Sequence, residues 1–168
     1  MKTKSLTKSS VARRGYMPPS KTDNHPTPQP FYEKLHKLYE FTCDAAASAE
    51  HAKCKVYFTE SDNGLAKDWG THTVWLNPPY GRVIKSWAHK SLDAASKGAT
   101  VVMLVPSRTD TKWFKAVAER PEVQLLFVCG RLKFGTAKNA APFPNVVLVI
   151  RPRRAGRPPM KVRFIDAA

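Results

Sequence analysis

The chain has 168 residues and a net charge of +15 at pH 7, from 28 basic and 13 acidic side chains. That length suggests one domain, because two cores would each be small, and a hydrophobic fraction of 42% argues against wholesale disorder. The charge points to a polyanionic partner, with nucleic acid ahead of an anionic membrane surface.

Residues 1–24 read as a flexible basic arm. They carry Lys2, Lys4, Lys8, Arg13, Arg14 and Lys21 against Asp23, and lack the apolar stretch of a secretory signal. HPTPQP, from His25 to Pro30, has three prolines in six residues and is extended. FYEKLHKLY then places Phe31, Tyr32, Leu35, Leu38 and Tyr39 at the spacing of an amphipathic helix. Phe41–Cys43 is a short strand ending at Asp44, and Ala45–Lys53 is a short helix or a loop. Val56–Phe58 is a second strand and Ser61–Gly64 has turn chemistry. Thr73–Leu76 is a third strand that runs straight into Asn77-Pro78-Pro79-Tyr80. Arg82–Lys97 is a helix with Ile84, Trp87, Ala88, Ser91, Leu92 and Ala95 on one face, closed by Gly98. Thr100–Val105 is a continuous apolar run ended by Pro106, the pattern of a strand covered on both faces. Thr109–Glu119 is a further helix. Val123–Cys129 and Val146–Ile150 are strands with no helix between them. Residues 151–168 read as a basic, Pro/Arg-rich tail, with Arg151, Arg153, Arg154, Arg157, Lys161 and Arg163 against Asp166.

Strands alternating with helices predict an α/β fold for residues 25–150. The expected sheet is Rossmann-like, open and mostly parallel, with helices on both faces and an antiparallel hairpin at one edge. Ligands of such sheets bind beyond the carboxyl ends of the strands. That rule lines up Asp44, Asn77–Tyr80 and Pro106–Arg108 on one rim. No apolar run approaches the roughly 18–20 residues of a membrane span, so no membrane partner is expected. Three cysteines, Cys43, Cys54 and Cys129, form an odd set without CxxC spacing, which fits a reducing cytoplasm. Cys43, His51 and Cys54 match no common zinc spacing, and no metal is expected.

NPPY is the sharpest chemical signal. Two consecutive prolines fix two φ angles and remove two N–H donors. The carbonyls of Asn77 and Pro78 therefore point in set directions, Asn77 adds a side-chain carbonyl, and Tyr80 adds an aromatic face. Two acceptors and a stacking platform suit the exocyclic amino group of a flat base. Accepting both N–H bonds draws the nitrogen toward tetrahedral geometry and makes its lone pair nucleophilic, and the proton leaves after the attack.

NPPY after a strand resembles motif IV of the class I, S-adenosylmethionine-dependent adenine DNA methyltransferases. The blocks TPQPFYEKL, FTCDAAASAEHAKC, YFTESDNGLAKDW, WLNPPYGRVIKSW, VMLVPSRTDTKWF, GRLKF and APFPNVVLVI resemble, in order, the compact phage-type DNA adenine methylase family. The resemblance runs from about Thr27 to Ile150. It implies a class I methyltransferase sheet and S-adenosylmethionine as cofactor. It also implies methylation of adenine in DNA after base flipping, inside a bacterial host cell.

The resemblance assigns Asn77, Pro78, Pro79 and Tyr80 to the target adenine, and Asn77 to the cofactor as well. Thr27 and Pro28 match the motif at the methionine end of the cofactor, with Thr27 as a plain helix cap as the alternative. Asp44 and Ala45 match motif I, and Asp62 the acid that holds the cofactor's adenine. A simple turn at Asp62, or Asp68 in its place, remains open. Tyr80 would stack the flipped base opposite Phe134 or Phe143, each of which also reads as ordinary core. Arg82, Arg108 and Arg131 would meet phosphates or lie on a solvated surface, with Arg108 shaping the pocket as a further alternative. One departure stands out: Ala45-Ala46-Ala47-Ser48 replaces the usual glycine-rich loop, which motivates two alternatives. The first is a binding homologue with impaired catalysis. The second is the same chemistry on RNA or on a protein amide. Recognition of DNA sequence falls to Gly130–Pro144 or the basic ends.

Overall fold

The computed structural model describes residues 25–153 and 162–167. The expected arm over residues 1–24, and the basic residues Arg154, Arg157 and Lys161, lie outside them. In chain order the elements are α1 (Gln29–Tyr39), β1 (Cys43–Asp44), β2 (Val56–Tyr57), β3 (Thr73–Leu76) and α2 (Ile84–Ser96). They continue with β4 (Thr100–Pro106), α3 (Lys112–Ala118), β5 (Val123–Cys129), β6 (Asn145–Ile150) and β7 (Arg163–Asp166). Ala45–Lys53 is a loop of turns.

The seven strands form one sheet in the order β2-β1-β3-β4-β6-β5-β7. β6 alone runs against its neighbours, pairing antiparallel with β4 and β5, while the other pairs are parallel. The fold is thus the Rossmann-like α/β sheet expected, with two refinements. The antiparallel β5–β6 pair lies inside the sheet, and the chain returns after Ile150 to add β7 beside β5. That last strand is short, and a stretch dominated by Arg and Pro hides its pattern. It is an edge strand with Phe164 73% exposed, so it lacks the apolar run that marks a covered strand.

Side-chain alternation divides the core between the two faces of the sheet. Val101, Met103 and Val105 of β4 join Val74 and Leu76 under α2 and α3, through Ile84, Trp87, Ala88, Phe114 and Val117. Val102 and Leu104 join Trp75, Val147 and Val149 under α1, through Phe31, Tyr32 and Leu35. Fully burying a side chain such as Leu35 contributes about 1.5–3 kcal/mol, so each face is held independently of helix propensity. Pro30 sits in the first turn of α1, where its missing N–H costs nothing. Glu40 ends that helix in a left-handed conformation and donates its N–H to the His36 carbonyl at 2.8 Å. Gly98, at φ +115°, ends α2 as the sequence predicts.

The short first strand owes its place to hydrogen bonds on both sides. The Ala45 N–H donates to the Trp75 carbonyl at 3.1 Å, and the Phe58 N–H to the Asp44 carbonyl at 2.9 Å. These bonds carry the carboxyl ends of β1, β2 and β3 to one rim, where Asp44, Glu60 and Asn77 gather.

A cavity and an acceptor turn at the strand ends

A cavity of about 1240 Å³ opens at this rim. Its lining includes Thr27, Asp44, Ala45–Ser48, Glu60, Asn63 and Gly64, with Asn77 and Pro79 at one side. The loop after β1 has no glycine, and its small side chains leave the room a ligand needs. The single glycine of the region stands across from it. A Cβ on Gly64 would lie 2.2 Å from the Ala45 carbonyl oxygen, so only glycine lets the turn after β2 press on the alanine loop. Trp69 holds that turn by donating its Nε1–H to the Gly64 carbonyl at 3.0 Å.

Asp44 is 3% exposed and accepts the Lys53 N–H at 3.1 Å and the Ala46 N–H at 3.4 Å. Burial raises its carboxyl to about 6, and those two backbone donors oppose the rise. A buried carboxylate beside an open cavity favours a positively charged ligand group. Glu60, just beyond β2, is the second carboxylate on the lining, and sequence reasoning missed it. It follows Tyr57 by three residues, and the neighbouring Ser-Asp-Asn-Gly turn draws attention away from it. Asp62 is not among the lining residues. Its exposed carboxylate accepts the Thr59 N–H at 2.9 Å and the Thr59 hydroxyl at 2.6 Å, which lowers its pKa and closes the turn. Asp68 accepts the Gly70 N–H at 3.0 Å in a second turn away from the cavity.

The Asn77 side chain is oriented by the segment before α1. Its Nδ2 donates to the His25 carbonyl at 2.6 Å and to Thr27 Oγ1 at 3.0 Å. Its Oδ1 is buried with no hydrogen-bond partner among the described residues. Leaving a buried carbonyl unpaired costs about 1–3 kcal/mol, and the orientation persists because both amide hydrogens are engaged. Pro28 lies at the N-cap of α1 and outside the lining, so the Thr-Pro pair acts here through Thr27.

Behind Asn77, Tyr80 packs with Phe134 and Phe143 at ring-centroid distances of 6.0 and 5.8 Å, and those two phenylalanines are 6.3 Å apart. His25 stands over this triangle, 5.0 Å from Tyr80, 5.2 Å from Phe134 and 5.6 Å from Phe143. The sequence expectation thus brings Tyr80 and both phenylalanines together, and the structure adds His25. The Tyr80 hydroxyl is buried near the Asn145 side chain without meeting hydrogen-bond geometry to any described residue; burial raises its pKa well above the ordinary value, and the polar Asn145 side chain opposes the rise. Arg82, Arg108 and Arg131 are exposed and line no part of the cavity. No three or more His, Cys, Asp or Glu side chains converge as metal ligands among the described residues, and no described helix is long and apolar enough to cross a membrane.

The sheet, the carboxylate-bearing cavity and the adjoining Asn-Pro-Pro-Tyr turn define a Rossmann-like α/β protein with a cavity beside a polar acceptor cluster. Residues 15–162 match the family described as DNA N-6-adenine-methyltransferase (Dam), and the chain belongs to that family. The DNA N-6-adenine-methyltransferase of Escherichia phage T1 is 33% identical over 90 residues, covering 52% of this chain and 37% of that protein. The DNA N-6-adenine-methyltransferase of Haemophilus phage HP1 is 26% identical over 103 residues, covering 61% of this chain and 60% of the relative. The chain therefore matches less than two thirds of the length of either. Among solved structures, a predicted O-methyltransferase from Agrobacterium tumefaciens has a TM-score of 0.33 and 15% identity, covering 82% of this chain and 60% of that one.

Proposed function

We propose that this chain transfers a methyl group from S-adenosylmethionine to the exocyclic amino group of adenine in DNA. The observation that carries the reading is Asn77, whose Nδ2 is tied to His25 and Thr27 while Oδ1 is buried and unpaired. That oxygen is an acceptor held ready for a donor that none of the described residues supplies. An adenine amino group supplies two N–H bonds, one for Asn77 Oδ1 and one for the Pro78 carbonyl. Pairing both hydrogens draws the nitrogen toward tetrahedral geometry, so its lone pair leaves the ring conjugation and becomes nucleophilic.

S-adenosylmethionine, when bound, supplies an electrophilic methyl group on a positively charged sulfur. The residues present fit it: Asp44 faces the cavity with a carboxylate suited to a cationic group, and Glu60 with one suited to paired hydroxyls. Ala45, Ala46 and Ala47 leave the backbone close to the ligand. Asn77 and Pro78 would hold the nitrogen as it takes up the methyl carbon with loss of the carbon–sulfur bond, and the nitrogen would then release its proton to water. No strong base is needed, because the nitrogen turns acidic once it is alkylated. The base leaves the duplex to reach this turn, and stacking on Tyr80 returns about 1–3 kcal/mol of the unstacking cost.

The DNA reading ranks above an impaired homologue because the Asn77 acceptor is oriented and has no hydrogen-bond partner among the described residues. It ranks above RNA because of the family, and above a protein amide because of the family and the charge of +15. The exposed Arg82, Arg108 and Arg131 supply phosphate contacts, so binding weakens steeply with salt. The test incubates the full chain with labelled methyl donor and unmethylated DNA, then digests the DNA and identifies the labelled nucleoside. The expected product is N6-methyldeoxyadenosine from the wild type and none from Asn77→Ala. Absence of the label from adenine with the wild-type chain overturns the reading.

A further inference from the structure

We infer that the His25 ring is an internal stand-in for the substrate base and sets the affinity for DNA by occupying the base's place. The inference rests on the methylation reading above. Tyr80, Phe134 and Phe143 form a triangle of rings with edges of 6.0, 5.8 and 6.3 Å. A flat heterocycle stacked on Tyr80 and touching both phenylalanines sits at the apex of that triangle. The apex is held by His25, tilted 35° to Tyr80 at 5.0 Å and edge-on to Phe143 at 72°. Imidazole is also one of the two fused rings of a purine, so its shape and polarity suit the same surface. At 5.0 Å from Tyr80 it leaves no room for a base between the two rings, which needs about twice the 3.5 Å contact distance of stacked carbons. Base and imidazole therefore exclude each other.

The backbone around His25 is fixed by hydrogen bonds that do not use its ring. The His25 carbonyl accepts from Asn77, the Pro26 carbonyl accepts the Gly135 N–H at 2.9 Å, and Thr27 Oγ1 accepts from Asn77. Rotation about the side-chain bonds of His25 clears the apex and leaves all three hydrogen bonds in place. Asn77 thus stays oriented whether the ring or the base is in position. The ring also covers apolar aromatic surface that would otherwise face water when no DNA is bound. The consequence for binding follows from competition. A ring that holds the apex about nine-tenths of the time leaves about one-tenth of the molecules open and raises the apparent constant for DNA about tenfold.

The test compares wild type, His25→Ala and His25→Phe as full chains in methyl transfer to unmethylated DNA. His25→Ala is expected to lower KM for DNA about tenfold, and His25→Phe, which keeps a ring at the apex, to restore it. A KM for His25→Ala equal to or above that of wild type, at matched thermal stability, overturns the proposal. A second measurement needs no variant to be active: NMR of wild-type protein with labelled histidine rings, the His25 signal being assigned by its loss in His25→Phe. In free protein the His25 ring protons are expected upfield, in the ring currents of Tyr80, Phe134 and Phe143. Saturating DNA is expected to move them to positions typical of solvent. A signal already at the solvent position, or one that stays upfield in saturating DNA, overturns the proposal. DNA methylation with an unmoved His25 signal refutes the stand-in alone. A His25 signal that moves with DNA while no N6-methyldeoxyadenosine forms refutes the methylation reading alone.

Discussion

Replacing Asn77 by Asp changes one atom group and inverts the logic of the acceptor turn. In the wild type Nδ2 donates to the His25 carbonyl at 2.6 Å and to Thr27 Oγ1 at 3.0 Å. In Asn77→Asp a carboxylate oxygen takes the Nδ2 position and meets the His25 carbonyl, acceptor against acceptor. Thr27 can turn its hydroxyl proton toward the carboxylate and keep one hydrogen bond. The loss is then one hydrogen bond of about 1 kcal/mol plus an unpaired buried carbonyl of about 1–3 kcal/mol. Allowing for relaxation of the side chain, the net cost is about 2–3 kcal/mol, or about 30- to 150-fold in kcat/KM. The assay is methyl transfer to unmethylated DNA at saturating donor, alongside thermal unfolding of both proteins. Lowering the pH protonates the introduced carboxylate and restores a donor to the His25 carbonyl, so the ratio of variant to wild-type activity rises toward acid. A variant as active as wild type near neutral pH, with a flat ratio below it, would show that the clamp on Nδ2 does not orient the acceptor.

Three further outcomes are expected. Gly64→Ala drives a Cβ to 2.2 Å from the Ala45 carbonyl, costing about 2 kcal/mol and lowering Tm by about 4–8 °C, read by calorimetry; an unchanged Tm refutes the contact. The free-protein carboxyl of Asp44 titrates at about 6 against an ordinary 3.8, so the folded state binds its proton more tightly than the unfolded state. Its contribution to stability is therefore greatest below pH 3.8 and is lost as pH rises to about 6, over about 3 kcal/mol, and Asp44→Asn should flatten that part of the urea-unfolding profile. Tyr80→Phe removes a buried, unpaired hydroxyl and is expected to be as stable as wild type or about 1 kcal/mol more so, while Tyr80→Ala loses stacking and weakens methyl transfer about tenfold or more.

Much of the fold is legible in the sequence because the covered strands are written as unbroken apolar runs. Thr73–Leu76 and Val123–Cys129 coincide with β3 and β5, and the helix over Arg82–Lys97 differs from α2 only by its ends. The strand order is a different matter. Nothing in Val146–Ile150 says that it inserts between β4 and β5, since its neighbours are chosen by distant residues across the sheet. The last strand is hidden because Arg163–Asp166 lies at an edge and alternates weakly. In the site, Asn77 to Tyr80 declare themselves through local chemistry. Glu60 and His25 do not, because their meaning lies in what stands opposite. Asp62 shows the reverse: the residue type and spacing suit a ligand acid, yet a hydroxyl and an N–H from Thr59 hold the carboxylate in a turn.

The position of β6 has a bearing on how such a protein diversifies. Because β6 lies between β4 and β5, the connection over residues 130–144 leaves and re-enters the interior of the sheet, with both its anchoring strands fixed by neighbours. Extra residues accepted there do not shift the register of either strand, and doubling the length of a flexible connection costs only about 0.6 kcal/mol in closure entropy. The same connection carries Phe134 and Phe143, which stand against Tyr80. On the methylation reading proposed above, insertions between those two anchors add contacts along a duplex while the ring cluster beneath them stays as it is. On that reading, a lineage changes which DNA it meets by growing one loop, without renegotiating the chemistry beneath it.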